Sequence, residues 1–482
     1  MKKTNGLKGQ VFSGLFWKFG ERIIAQGVSF IISLVLARIL MPEQYGIISL
    51  VLVFINLANV FVSDGLGESL IQKHDADDTD FSTMFFCSLG VGMILYIILF
   101  LTAPFIAKFY NDPAITAVVR VLSLQIPLSA IKTIQHAYVS KHMLFKKFFF
   151  STLGGTIVSG IIGIVMAYKG LGVWALVEQY LVNSVMDLTI LFITVKWRPY
   201  LRFSLKSAKV LFSFGWKLLA AQFINILYSE IRSLVIGKVY TNSDLAYYNR
   251  GNHFPSLIIT NINTSISTVL FPAMSKVNGN VDAVKALTRK SMKMTSYVIF
   301  PMMVGMIAVS EPMIRLLLTE KWLGCVPFLQ LSCIYWMVQP CQTANVQAIK
   351  AVGRSDICLK LEVIKKLIGF SFVVATMFIS VYAIVASNTL FAFVSVVINI
   401  IPNRRLIHYG FKEQIKDLMP AFILSIIMGL LTYAVIFIGL PDILTLIIQV
   451  LVGVSIYLGG SILLKIDSFY EIKNLVFRGK KS

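Results

Sequence analysis

Among the charged side chains in stretches otherwise apolar enough to sit in lipid, six could carry chemistry: Arg22, Arg232 and Arg250, and Glu178, Asp187 and Glu230. A charge at the centre of a membrane helix costs about 2.5–3.5 kcal/mol to insert, so such residues face a cavity or a partner. A guanidinium grips phosphate through two parallel hydrogen bonds, which a lysine ammonium does not reproduce. The three arginines therefore read as phosphate-binding groups, with pairing to an acid on another helix, such as Arg22 with Glu178, as the alternative. A buried carboxylate can carry a proton or a sodium ion and so couple transport to a gradient. Glu178, Asp187 and Glu230 have that capacity, with structural ion pairing as the equal reading.

Polar neighbours extend each charge into a stripe. Lys18, Arg22, Gln26, Ser29 and Ser33 recur every three or four residues, which at about 100° per residue is one helix face. Gln222, Asn225, Ser229 and Arg232 form a second stripe, with Glu230 to one side. Arg250, His253, Asn261, Thr264 and Thr268 form a third, and Ser49, Asn56, Asn59 and Ser63 a fourth. Such faces suit a water-filled cavity, where Gln26, Gln222 and Asn225 would bind a polar cargo. Their Ser, Thr and Asn members also serve as glue between helices. His253 reads as a cavity or packing residue rather than a proton carrier. Glu178 and Asp187, nine residues apart, fall on opposite faces of their helix.

The elements that must carry these stripes are membrane helices. Of 482 residues, 57% are hydrophobic and 14% charged, against roughly 25% charged in an average soluble domain. That balance excludes a soluble enzyme, a soluble nucleic-acid-binding protein and a disordered chain. Fourteen segments reach the required length of about 20 residues. They lie near 12–37, 46–63, 82–102, 115–138, 148–168, 173–195, 211–237, 246–272, 294–309, 325–349, 358–380, 383–401, 419–439 and 443–464. With the N-terminus in the cytoplasm, 28 Lys and Arg fall in inner segments and 6 in outer loops, so both termini are expected inside. The net charge of +21 is thus a topology signal, and no nucleic acid is expected as a partner. The basic inner segments around 196–209 and 276–293 read as meeting anionic lipid head groups.

The chain also repeats itself. Leu34–Leu40 aligns with Leu234–Tyr240 at an offset of 200, and Trp17-Lys18 with Trp216-Lys217 at 199. Six helices separate the copies, so both halves enter the membrane from the same side as parallel repeats. The expected fold is an all-α integral membrane protein with about fourteen transmembrane helices. Two six-helix lobes, 1–200 and 201–410, would flank a central cavity, and 411–482 would add two helices and a cytoplasmic tail. Pro127, Pro255, Pro301, Pro327 and Pro340 mark expected kinks.

Other motifs carry no chemistry. Cys87, Cys325, Cys333, Cys341 and Cys358 lack metal-ligand spacing and read as small buried hydrophobes. His74–Asp80 contains an Asp-x-Asp string but reads as a loop and helix N-cap. No phosphate-cradling loop, HExxH or nucleophile elbow is present, so neither an enzyme nor a metal or cofactor is expected.

Two runs carry a family resemblance: Gln26-Gly27-Val28-Ser29-Phe30 through Leu34–Gly46, with its Ala-Arg-x-Leu-x-Pro-Glu-x-Tyr-Gly corner, and Phe61-Val62-Ser63-Asp64-Gly65-Leu66-Gly67. They resemble bacterial Wzx-type polysaccharide flippases, a branch of the superfamily that includes multidrug exporters of the MATE type and the lipid II flippase. The colanic-acid and lipopolysaccharide exporters are the most similar subgroup. The resemblance implies an inner-membrane flippase that moves undecaprenyl-pyrophosphate-linked oligosaccharide to the outer leaflet, by alternating access and with cation coupling as an option. It implies membrane lipids, a polysaccharide polymerase and chain-length machinery as partners. The alternative is a MATE-like ion-coupled small-molecule exporter, whose cavity should be acidic; a membrane polymerase or ligase would present a large outer loop.

Reporter fusions after Tyr200 and after Ser482 are expected to read cytoplasmic, and one after Asp442 external. An external reading at Tyr200 would break the helix count.

Overall fold

The computed structural model describes residues 20–63, 66–73, 75–277 and 279–478. The described residues form helices joined by short turns, without a strand. This is what a bilayer demands, since a helix satisfies its own backbone where no water can. Eleven helical runs among the described residues, with Ala114–Lys141 taken as one, are long and apolar enough to cross a membrane. Of the other three expected spans, the first lies partly outside the described residues, which show the apolar helix Ile23–Ile39, and the tenth is broken into two helices at Val338. The eleventh carries Lys360, Glu362, Lys365 and Lys366 in its first half.

The chain divides into two compact units, Met1–Ala246 and Tyr247–Ser482. In the first, a π-helical turn, Glu21–Ala25, leads into α1 (Gln26–Ile39). There follow α2 (Pro42–Ser63), α3 (Leu66–Gln72), α4 (Asp78–Tyr110), α5 (Ala114–Leu122) and α6 (Gln125–Lys141). The remaining helices are α7 (Phe145–Tyr168), α8 (Val173–Thr194) and α9 (Leu205–Val239). The acidic string is the N-cap of α4: Asp77 accepts from the Asp80 amide at 2.8 Å, and Asp80 from the Asp77 amide at 3.2 Å. At this end Phe81, Phe85, Phe148, Leu191 and Trp197 close an apolar core.

At the opposite end the two copies of the internal repeat meet. α1 and α9 stop at equivalent residues, Ile39 and Val239, and both C-caps are extended. Each corner is held by the same device. Gln44 Oε1 accepts from the Met41 amide at 3.1 Å, and 200 residues on Asp244 Oδ2 accepts from the Thr241 amide at 3.2 Å. Gly46 lies flush on the Asn242 backbone, so a Cβ there would land on the Asn242 carbonyl. α9 packs along α2, α3 and α4.

The second unit contains most of α10 (Asn242–Lys276), then α11 (Val281–Ala308), α12 (Ser310–Leu318), a 3-10 segment (Glu320–Cys325), α13 (Val326–Met337) and α14 (Gln339–Ala351). It continues through α15 (Ser355–Thr376), α16 (Val381–Leu406), α17 (Phe411–Ala434), α18 (Asp442–Leu463) and α19 (Asp467–Arg478). Of the five prolines, only Pro255 and Pro301 lie within helix interiors. Pro127 and Pro340 follow breaks at Ser123–Leu124 and Val338 within their expected spans, so they mark interruptions as expected, and Pro327 occupies a first turn, where a missing amide costs nothing.

The basic segment 276–293 is also paired within the fold. Arg289 holds Asp417 through two bonds of 2.6 Å, and Tyr409 donates to the same carboxylate at 2.9 Å. Lys285 pairs with Glu413 at 2.9 Å, Lys290 with Glu471 at 3.4 Å and Lys293 with Asp467 at 3.4 Å. These charges are matched by α17 and α19, which lie too far along the chain for sequence spacing to reveal. All five cysteines are free thiols.

Gly46→Ala is expected to destabilise by about 1–3 kcal/mol, because backbone cannot yield as a side chain can. Gly90→Ala on α4, with nothing within 4 Å of an added Cβ, should be neutral or stabilising. Thermal melts of the purified variants compare the two.

Candidate functional site

The longest polar face belongs to α9, a 35-residue helix whose N-cap Ser204 accepts from the Ser207 amide at 3.2 Å. Its continuity places Gln222, Asn225, Ser229 and Arg232 on one face, as their spacing requires. Asn225 is exposed and Gln222 half-buried. Arg232 is 6% exposed, and its guanidinium carbon stands 5.5 Å from the centroid of the Tyr228 ring. Among the described residues no carboxylate pairs with it, and its Nε has no hydrogen-bond partner. The ring face offers up to about 2 kcal/mol to a desolvated cation, short of what a paired anion supplies.

Glu230 projects elsewhere, toward α2, where it accepts from Asn56 Nδ2 at 3.2 Å. The second and seventh expected spans therefore meet through a bond between their polar residues. The carboxylate has a neutral amide for a neighbour, with no cation among the described residues.

Asp187, on α8, has the opposite environment. It is 6% exposed, with Lys132 Nζ at 3.2 Å and His136 Nε2 at 4.0 Å from the same oxygen, Oδ2. Lys132 and His136 are one turn apart on α6, so they share a face. Sequence reasoning missed both: their i, i+4 spacing was the available signal, but only the packing of α6 on α8 names Asp187 as the partner. Glu178, further up α8, is half-buried and makes no ion pair among the described residues. Gln26 is exposed on α1. The Arg22 side chain lies outside the described residues, and with it the expected pairing to Glu178, as does Lys18.

In the second unit Arg250 is 8% exposed, its guanidinium 5.2 Å from the centroid of Trp322, which is wholly buried in the 3-10 segment. His253 follows three residues on and is half-buried. Trp322 had no signal in the sequence, since 72 residues separate it from Arg250. The same unit holds an apolar cavity of about 670 Å3 between α11, α13, α16 and α17, walled by Phe300, Val304, Ile334, Phe393, Phe422 and Tyr433. Its wall is almost entirely hydrocarbon and suits a lipid chain.

The family model described as polysaccharide biosynthesis protein matches residues 35–327, more than half the chain. The chain belongs to this family. It is similar to the lipopolysaccharide biosynthesis protein WzxC of Escherichia coli K12, at 27% identity over 74% of this chain and 73% of that protein. The teichuronic acid biosynthesis protein TuaB of Bacillus subtilis 168 is also 27% identical, over 78% and 79%. The succinoglycan biosynthesis transport protein ExoT of Rhizobium meliloti 1021 is 25% identical, over 71% and 69%. Among solved structures, the lipid II flippase MurJ in an inward closed conformation matches 95% of this chain and 99% of its own, with TM-score 0.75 at 15% identity. An inward-facing MATE-family multidrug transporter matches 82% and 98%, with TM-score 0.61 at 14% identity. These two establish the fold. This polysaccharide biosynthesis family member is a multi-pass membrane protein of the MurJ and MATE fold.

Removing one member of the Lys132–Asp187 pair should cost about 3 kcal/mol, as the other charge is left buried and unmatched. Lys132→Met and Asp187→Leu should each lower the melting temperature, and the double variant should recover most of the loss.

Proposed function

We propose that this protein is a flippase for a polyprenyl-pyrophosphate-linked oligosaccharide, moving it from the cytoplasmic to the outer leaflet of the bacterial inner membrane. The observation that carries the reading is Arg232: a buried guanidinium without a carboxylate partner among the described residues, on the hydrophilic face of a membrane helix. A fold that keeps such a charge in low dielectric needs a compensating anion, and a passing pyrophosphate supplies it. The apolar cavity gives a polyprenyl tail a place to lie while the head group is held. The names of the relatives point the same way, since each is a protein of polysaccharide biosynthesis.

In this reading Arg22, Arg232 and Arg250 contact phosphate in succession, and Gln26, Gln222 and Asn225 contact sugar. Residues 1–200 and 201–410 act as the two repeat lobes, with 411–482 as the additional pair of helices and a cytoplasmic tail. Both termini lie in the cytoplasm, where the basic excess collects, and a polymerase and chain-length machinery take over the product. The sequence carries no phosphate-cradling motif to couple ATP to the step, so in this reading direction comes from an ion gradient or from removal of product. Glu230 is the acid best placed to exchange a cation, because its neighbour is the neutral Asn56, whereas Asp187 already holds Lys132.

Arg232→Ala should abolish export at normal membrane abundance, and Arg232→Lys should restore only part of it. Cellular lipid-linked oligosaccharide and membrane protein level are measured together; wild-type export by the Ala variant would remove the assignment. In vesicles with an imposed gradient, Glu230→Gln should lose the gradient response while Glu178→Gln keeps it.

A further inference from the structure

A second cavity, of about 380 Å3, lies between α2, α3 and α6 of the first unit. Asn59, Ser63, Ser129, Lys132, Thr133 and His136 line it. It sits beside the loops that follow α2 and α6, the end assigned by the charge bias to the cytoplasm. Ser63 and Gly67, two residues of the run that carries the family resemblance, form part of its wall. A Cβ on Gly67 would come within 3.0 Å of Thr133 Cγ2, so the glycine lets α3 close on α6 here.

The chemistry of the wall selects its ligand. Among the described residues of the lining Lys132 alone carries a permanent charge, and Asp187 behind it cancels that charge at 3.2 Å. An entering phosphate would find its cation already held and a carboxylate behind it. A neutral ligand meets no such opposition. Thr133 Oγ1 donates to the Ser129 carbonyl at 2.8 Å, which leaves its lone pairs free to accept. Asn59 Oδ1 is buried without a hydrogen-bond partner among the described residues, and a donor would satisfy it. The Lys132 ammonium has three N–H groups, of which one points at Asp187. A wall that both donates and accepts around a neutral space matches a sugar hydroxyl, which does the same. The volume is at the low end for small-molecule sites, about 300–1,000 Å3, and so fits one or two sugar rings rather than a whole repeat unit.

We propose that this cavity is a saccharide subsite, taking a neutral sugar ring at the cytoplasmic end of the first unit. That the sugar belongs to the transported cargo rests on the flippase reading; that the cavity binds sugar does not.

The test uses the full chain in nanodiscs with Ser129→Cys, and reads its alkylation by a water-soluble maleimide above the background of the five native thiols. The probe is the water-soluble oligosaccharide released by mild acid from the host's own lipid-linked pool, compared with inorganic pyrophosphate. Oligosaccharide should slow labelling several-fold and pyrophosphate should not. Adding Asn59→Ala or Thr133→Val should weaken that protection about tenfold, the loss of one hydrogen bond, while Thr133→Ser retains it. Retention by Thr133→Ser at equal membrane abundance separates loss of the hydroxyl from loss of the fold. Protection by pyrophosphate alone, by neither probe, or undiminished in both variants overturns the subsite. Export of the lipid-linked pool is followed in parallel in cells. If the parent chain exports nothing, the flippase reading falls while the binding result stands. If parent and variants export with the same cargo preference, the cargo role of the subsite falls alone.

Discussion

The first unit is organised around a contact that leaves no room for a side chain: Gly46 against the backbone of Asn242. Two helix ends 200 residues apart in sequence meet there, each stopped by an extended residue and each held by a side chain reaching back to a backbone amide. Around them Asn242 donates to Asp112 at 2.9 Å and Lys238 donates to the Phe109 carbonyl. The turns after α1, α4 and α9 are thereby tied together. With one end pinned, α9 has to run along α2, which brings Glu230 to Asn56. Backbone against backbone is a stiff constraint, and protein interiors pass such constraints on because they are packed as densely as crystals.

Charges within the apolar interior fall into two kinds. Asp187 with Lys132, and Asp417 with Arg289, are closed pairs whose members came from different helices and offset each other's desolvation. Arg232 is supported by an aromatic ring, without a carboxylate among the described residues. An ion pair fixes helices together and is then chemically spent. A cation resting on a ring keeps most of its appetite for an anion, so the same residue type is neutralised within the fold in one place and available to an anion in another.

The two cavities repeat this division in solvent terms. One is walled by hydrocarbon, a surface that suits a lipid chain better than water. The other is lined by hydroxyls, an amide and a neutralised ammonium, a surface that suits a neutral hydrogen-bonding ligand. A lipid-linked oligosaccharide is itself divided this way, with an apolar tail and a hydroxyl-rich head.

Sequence alone was enough for everything that depends on local composition and periodicity. Apolar runs of bilayer length became helices, the stripe on α9 kept its face because 3.6 residues per turn admits nothing else, and the Asp77–Asp80 string capped α4. The offset-200 repeat foretold two matching corners, and the family resemblance held. What sequence could not decide was partnership. Asp187 read equally well as a coupling site and as half of an ion pair until α6 laid Lys132 and His136 against it. The basic segment before α11 and along it gave no sign of the acids that α17 and α19 bring to it. Trp322 beneath Arg250 and the two cavities had no local trace at all. The reason is physical: helix formation and insertion depend on a few neighbouring residues, whereas the neutralisation of a buried charge depends on whichever helix tertiary packing brings within about 4 Å.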